Sequence, residues 1–359
     1  MKTITLLFVA SLLLINSCKT TTTGPSGTTT TPVVVFNHFE ASGHALRGVW
    51  SIHNDGTALK QILNTGYLVS SPHGSQFVGM SSETATGYAS IVMGSVDSNH
   101  VTVFANALVD GFGIGHPTLS SDGQHVLGYS YQSTDTGGIY VWDVVGSTGT
   151  NGRWLTKHSA YEAMAAFSPD GLHIAYYGSD LKMHIVRVDG SNDIAVGDSL
   201  TPGNDFFSSI QWVPAGDHFI FTTVKNNVNA LWRVNADGTA LVNMTATLPA
   251  FSANPRPVYS ADGTRMVYIS GTSAADAAIY IANSDGSGAQ KLPISFTTQV
   301  PLFYAWSPDA SQIAFTMYSL SLPDMDPDRY PGSAYVYTVA TGVNAFLADS
   351  ISYGMYWWQ

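Results

Sequence analysis

Charge is scarce in this chain of 359 residues, where Asp, Glu, Lys and Arg together make up 11%. An ordinary soluble domain carries about 25%. The charge present is one-sided: 14 Lys and Arg stand against 25 Asp and Glu, for a formal net charge of −11. No basic cluster stands out, and so acidic a surface repels a phosphate backbone, which excludes nucleic acid as a partner. The acidic residues are spread thinly, and their plain consequence is solubility. Cysteine occurs once, as Cys18, so no intrachain disulfide can form. The 11 histidines are scattered, without H-x-H or H-E-x-x-H spacing. Paired carboxylates, a Ser/His/Asp set and a phosphate-cradling Gly loop cannot be placed in one site, so no cofactor is implied. What the chain does have is 45% apolar residues, 34 Gly, 18 Tyr and 8 Trp, the composition of a turn-rich, aromatic β-protein.

The one long apolar run lies at the N-terminus. Met1 and Lys2 precede "TITLLFVASLLLIN", which is too short to span a bilayer as a mature helix. It ends in "LINSC", residues 14–18, with Ile15 at −3, Ser17 at −1 and Asn16 at the less usual −2. This resembles the lipobox of bacterial lipoproteins, and the single Cys falls where that resemblance places the acylated residue. The alternative is an ordinary secretory signal with an incidental Cys. Residues 1–17 then form a signal peptide. Residues 18–32, "CKTTTTGPSGTTTTP", have nothing to bury and read as a flexible tether, and residues 33–359 form the folded body. Lys19, rather than Asp, follows the Cys. By resemblance to the sorting rule of enteric bacteria, this implies an outer-membrane anchor facing the periplasm.

The body repeats. "AFSPDGLHIAYYGSD", residues 166–180, is an apolar run, a tight turn and a second apolar run. Pro fixes φ in that turn, Asp bonds its own backbone two residues on, and Gly takes φ > 0, which predicts a β-hairpin. Related stretches align on Gly74, Gly123, Gly171, Gly216, Gly263 and Ala310, at steps of 49, 48, 45, 47 and 47 residues. Each is followed by a strand such as "GIYVWDV" or "AIYIAN", a turn such as "DGSN" or "ADGT", and a short fourth strand. Four antiparallel strands in about 45 residues make a propeller blade. Residues 33–63 hold three strands and lack the leading one, and "ISYGMYWWQ" at residues 351–359 supplies it. The expected fold is all-β: a seven-bladed β-propeller whose N- and C-terminal strands close one blade. Rings of six or eight blades are the alternatives.

"FSPDG", "WSPDA" and "YSADG", each followed by "IAY", "IAF" or "MVY" and later by an "IYV" strand, resemble the TolB-type, WD40-like propeller repeat. The same repeat occurs in the propeller of prolyl oligopeptidase-like enzymes. The resemblance spans residues 33–359 and implies the architecture, while leaving function open. TolB carries an α/β domain ahead of its propeller, and here the tether leads straight into the first blade. The oligopeptidases add a hydrolase domain with a G-x-S-x-G elbow, a motif this sequence does not contain.

Propellers bind ligands at the channel mouth, where the innermost strands begin. Seven residues ahead of each turn position stand Tyr67, His116, Met164, Ser209, Arg256, Phe303 and Gly354. One reading is that these side chains only plug the channel. The other is a pocket in which Tyr67, His116, Arg256 and Phe303 grip a peptide or sugar, with Glu162 at the rim. Phe167, Trp212, Tyr259, Trp306 and Trp357, lower on the same strands, are expected in the core between blades. A lyase subgroup of seven-bladed propellers resembles this architecture and uses a His cluster for Mn²⁺, whereas the mouth here offers only His116. Asp324, Asp326 and Asp328 alternate as in a Ca²⁺ loop, but Arg329 stands where that pattern needs Gly and no Glu closes it, so a solvated acidic loop is the rival reading.

The functional expectation is a monomeric, lipid-anchored binding scaffold without catalysis. Its partner would be an envelope protein or a small ligand at a propeller face, and it would meet the membrane through the lipid. The rival is a glycan- or peptide-processing enzyme with its site at the mouth.

Overall fold

The structure is a computed structural model. It describes residues 33–40, 45–63, 67–68, 76–81, 90–95, 100–130, 138–157, 160–198, 210–225, 228–245, 248, 257–271, 276–294, 299–319 and 332–358. The described residues are all-β, in seven four-stranded blades arranged as a β-propeller.

The fourth blade shows the pattern. Ala160–Phe167 lies innermost, followed outward by His173–Gly178, Met183–Arg187 and Ile194–Val196, each pairing antiparallel with the next. Sheets of the same order begin at Tyr67, Phe112, Ile210 and Val258. The third blade carries an extra strand, Leu108–Val109, beside its innermost one.

Ring closure follows from one long strand. Val343–Trp358 first pairs with Gly332–Thr338 as the outermost strand of the seventh blade. Its second half then pairs with Val33–Glu40 as the innermost strand of the first, joining Val33 to Trp358 and Val34 to Trp357. Both blades therefore share one seven-stranded sheet. Closing the ring this way leaves no open edge at the join.

The hairpin turns are built as the sequence predicts. Asp170 Oδ1 accepts from the Leu172 N–H at 2.9 Å, and the Ser168 hydroxyl accepts from the His173 N–H at 2.9 Å. Ser120, Ser260 and Ser307 repeat the second bond. Burial pushes the carboxyls of Asp170, Asp262 and Asp309 up, but hydrogen bonds from Ser168, Ser260 and Ser307 and from nearby N–H groups outweigh it, leaving all three below their ordinary value. Gly171 has φ +71, and a Cβ there would meet the Asp122 carboxyl of the preceding blade at 2.7 Å. At residue 171 both the backbone and the neighbouring carboxyl thus favour Gly.

Flat side chains fill the space between blades. Trp306 and Trp357 are fully buried, Tyr259 and Trp212 are buried, and Phe167 is half-buried. The indole N–H of Trp212 donates to the Ala166 carbonyl at 3.2 Å, and that of Trp306 to the Val258 carbonyl at 3.1 Å, each in the preceding blade.

The two ends of the wheel differ. The first turn and the last turn of each blade share one end, tied by bonds such as Val188 N–H to the Leu172 carbonyl and Ala236 N–H to the Asp217 carbonyl. We call this the turn end. Asp122, Asp170, Asp217, Asp262 and Asp309 stand exposed on its inner turns. Asp55, Asp189, Asp237 and Asp285 stand exposed on its outer ones. The innermost strands begin at the opposite end, the mouth.

Candidate functional site

At the mouth the innermost strands stop following the ladder. In the third blade Gly115 pairs with Tyr129 and Thr118 with Leu127, so His116 and Pro117 together face Gly128 alone. In the seventh, Pro301 pairs with Met317 and Tyr304 with Phe315, so Leu302 and Phe303 face Thr316. The fourth blade breaks register between Ala160 and Ala165, and the first between Ile351 and Met355. Those of the third and seventh blades, two residues against one, are β-bulges, which re-aim side chains and recur beside binding sites; those of the fourth and first are wider irregularities. All four distortions fall on His116, Met164, Phe303 and Gly354, four of the mouth positions expected from the repeat.

His116 is the best described of these residues. Its φ is +49, a left-handed conformation uncommon outside glycine. It also precedes Pro117, which narrows its backbone further. The ring lies 6.0 Å from that of Tyr129, tilted by 35°. Burial alone drives its pKa down to about 4, so the imidazole is neutral at pH 7. The ordinary imidazole value of about 6.5 does not hold here, because the surrounding residues remove the water that would stabilise the cation. Tyr129 is buried, which raises its phenol to about 12 against hydrogen bonds to the Ala165 backbone and the Thr118 side chain. Its hydroxyl thereby links the third blade to the fourth.

Phe303 is half-buried, and its ring meets Tyr318 edge-on at 6.4 Å. The N–H that the bulge takes out of the ladder donates to Thr316 Oγ1 at 3.2 Å, so the distortion leaves no orphan donor there.

The other candidates are described less fully or not at all. Tyr67 pairs with Met80 in its short strand, and Glu162 lies in Ala160–Phe167; the side chains of both are outside the description. Arg256, the lipidation candidate Cys18 and the calcium candidates Asp324, Asp326 and Asp328 lie outside the described residues. Among the described residues no group of three or more His, Cys, Asp or Glu is placed to hold a metal ion.

Sequence reasoning missed Tyr129, Thr316 and the bulges themselves. One signal was present: "GHP" at residues 115–117 puts Gly and Pro inside a strand, where they mark a bulge.

No family model and no curated protein matches this chain by sequence. Solved structures do match, at identities that establish the fold alone. TolB from Acinetobacter baumannii is 13% identical, covering 91% of this chain and 82% of its own, with a TM-score of 0.51. The β-propeller domain of the Trilobed protease from Pyrococcus furiosus is 10% identical, covering 96% and 98%, with a TM-score of 0.61. An oligogalacturonate lyase in complex with manganese is 13% identical, covering 89% and 86%, with a TM-score of 0.58. The protease domain is described as having an open velcro topology, whereas here Val33–Glu40 and Val343–Trp358 close the ring.

Proposed function

We propose that this propeller is a non-catalytic binding scaffold of the bacterial envelope, lipid-anchored at Cys18 and engaging its ligand at the channel mouth. The feature that favours binding over catalysis is the burial of His116 on a distorted innermost strand. A general acid or base works best with a pKa near the operating pH, and burial holds this imidazole near 4. Neutral, it does not attract anions by charge. Phe303 adds an aromatic surface in the seventh blade. The left-handed backbone of His116 supports the same reading, since strain of this kind persists where a side chain must be held in place.

The anchor is tested by mass spectrometry of protein purified from membranes. A lipid adduct is expected on Cys18, and an unmodified wild-type chain overturns that part. The scaffold is tested by cross-linking to envelope proteins, together with turnover assays on oligogalacturonate, peptidoglycan fragments and peptides. Capture of one defined partner is expected, lost in Phe303→Ala and His116→Asn and kept in Asp237→Asn at the other end. Reproducible turnover that disappears in His116→Asn overturns the scaffold in favour of the enzyme.

A further inference from the structure

We infer that the anchored wheel is held with its turn end toward the lipid and its channel mouth facing away from it. The inference rests on the lipid anchor proposed above. What the fold adds is the point where the chain enters. Val34 pairs with Trp357, and Trp357 occupies the place that Trp306 holds directly ahead of the turn at residues 307–310. The break between Trp358 and Val33 therefore falls where the other blades have their first turn. Asn54, in the last turn of the first blade, donates to Gln312 Oε1 at 2.7 Å, beside the first turn of the seventh, which places this join at the turn end. Residue 33 enters the fold at the end of the wheel opposite the mouth.

The connecting stretch is short. Fifteen residues, 18–32, separate the lipidated position from the fold. Their composition predicts a coil spanning roughly 20 Å, about the length of one six-residue strand. The turn end is then the part of the wheel nearest the lipid.

Charge sets how that end meets the surface. The nine aspartates of its turns are exposed, whereas Arg153, Arg187, Arg233 and Arg265 beside them are half-buried; among the described residues only Lys60 and Lys291, on the outermost strands of the first and sixth blades, are exposed cations near it. Anionic headgroups repel such an end across the Debye length of about 8 Å at physiological salt. The wheel consequently stands clear of the headgroups rather than lying on them. The mouth thus opens toward the aqueous compartment rather than the lipid surface carrying the anchor.

The protein's lack of a second Cys makes the test direct. Leu172 and Ser179 are exposed at opposite ends of His173–Gly178, Leu172 at the turn end and Ser179 at the mouth end. Leu172→Cys and Ser179→Cys are each labelled with a fluorophore in the lipidated full-length protein. They are reconstituted in phosphatidylethanolamine–phosphatidylglycerol vesicles containing a headgroup nitroxide quencher. Both variants should float with the vesicles, and the Leu172→Cys label should be quenched several-fold more strongly. Raising the salt should increase that quenching as the stand-off shrinks. Equal quenching, or stronger quenching at Ser179→Cys in floating protein, overturns the orientation while leaving the anchor intact. Failure to float overturns the anchor, and the orientation with it.

Discussion

The guanidinium of Arg265 in the sixth blade lies over the indole of Trp306 in the seventh, with Cζ 4.7 Å from the ring centroid. Its Nη2 also donates to the Ala310 carbonyl at 2.7 Å. One side chain thus grips both the core ring and the turn of the next blade. Arg265→Ala should destabilise the protein by about 2 kcal/mol, combining a cation–π contact with a charge-assisted hydrogen bond. Arg265→Lys should recover only part of this, since a point charge cannot lie flat on the indole while reaching the carbonyl. Urea unfolding of the three proteins checks both values.

The closing strand should matter most of all. Trp357 is fully buried, and its indole N–H has no hydrogen-bond partner among the described residues. Trp357→Ala should cost about 3–5 kcal/mol. Trp357→Phe should cost clearly less, because it keeps most of the packing and gives up no hydrogen bond. Deleting residues 352–359 should expose the edge of Val33–Glu40 and produce oligomers on size-exclusion chromatography. A monomeric deletion protein with unchanged stability would show that closure contributes nothing.

The turn position separates backbone from packing. Gly171→Ala forces a left-handed residue and sets a Cβ against Asp122, so a loss of at least about 1–2 kcal/mol is expected. Ala310 already sits at φ +56. Ala310→Gly relieves that strain but gives up a buried methyl worth about 0.8 kcal/mol, so its net effect should lie within about 1 kcal/mol of zero. Thermal unfolding of both variants is the measurement.

His116 should leave a mark on the pH dependence of stability. Its folded pKa of about 4 lies below the ordinary 6.5. Between these values the unfolded chain binds a proton that the folded chain does not, so stability falls as pH drops from about 6.5 to about 4 and levels off below. A shift of this size corresponds to about 3 kcal/mol. In His116→Asn, where Asn tolerates the left-handed backbone, this component should vanish while the acid limb set by Asp170, Asp262 and Asp309 remains. Equal slopes in wild type and variant would refute the buried neutral imidazole.

Much of this was legible in the sequence. The constant step between turn residues pointed to six complete copies, and the missing leading strand at Val33, supplied by residues 351–359, pointed to a seventh blade and to the closure. Those features are local: a turn states its own φ through Gly, Asp and Pro. The mouth was legible only as positions along a strand. That His116 would turn left-handed, sit beside Tyr129 and lose its affinity for a proton depends on neighbours from other strands, which no stretch of sequence displays. The bridge from Arg265 to Trp306 was hidden for the same reason. An isolated Arg at the start of a strand reads as a solvated charge until the next blade is in place.

The pairing of Val33 with Trp358 also imposes an order of events on the newborn chain. The first blade cannot be completed until residue 358 has been synthesised, because its innermost strand follows the other six blades along the chain. Until then Val33–Glu40 waits as an unpaired apolar edge, at risk of joining another chain. Closure is also the longest-range pairing among the described residues, the kind that forms slowly. The wheel is therefore most vulnerable during biogenesis rather than in its finished state, and a holding chaperone acting on the early blades would protect it when its own architecture cannot.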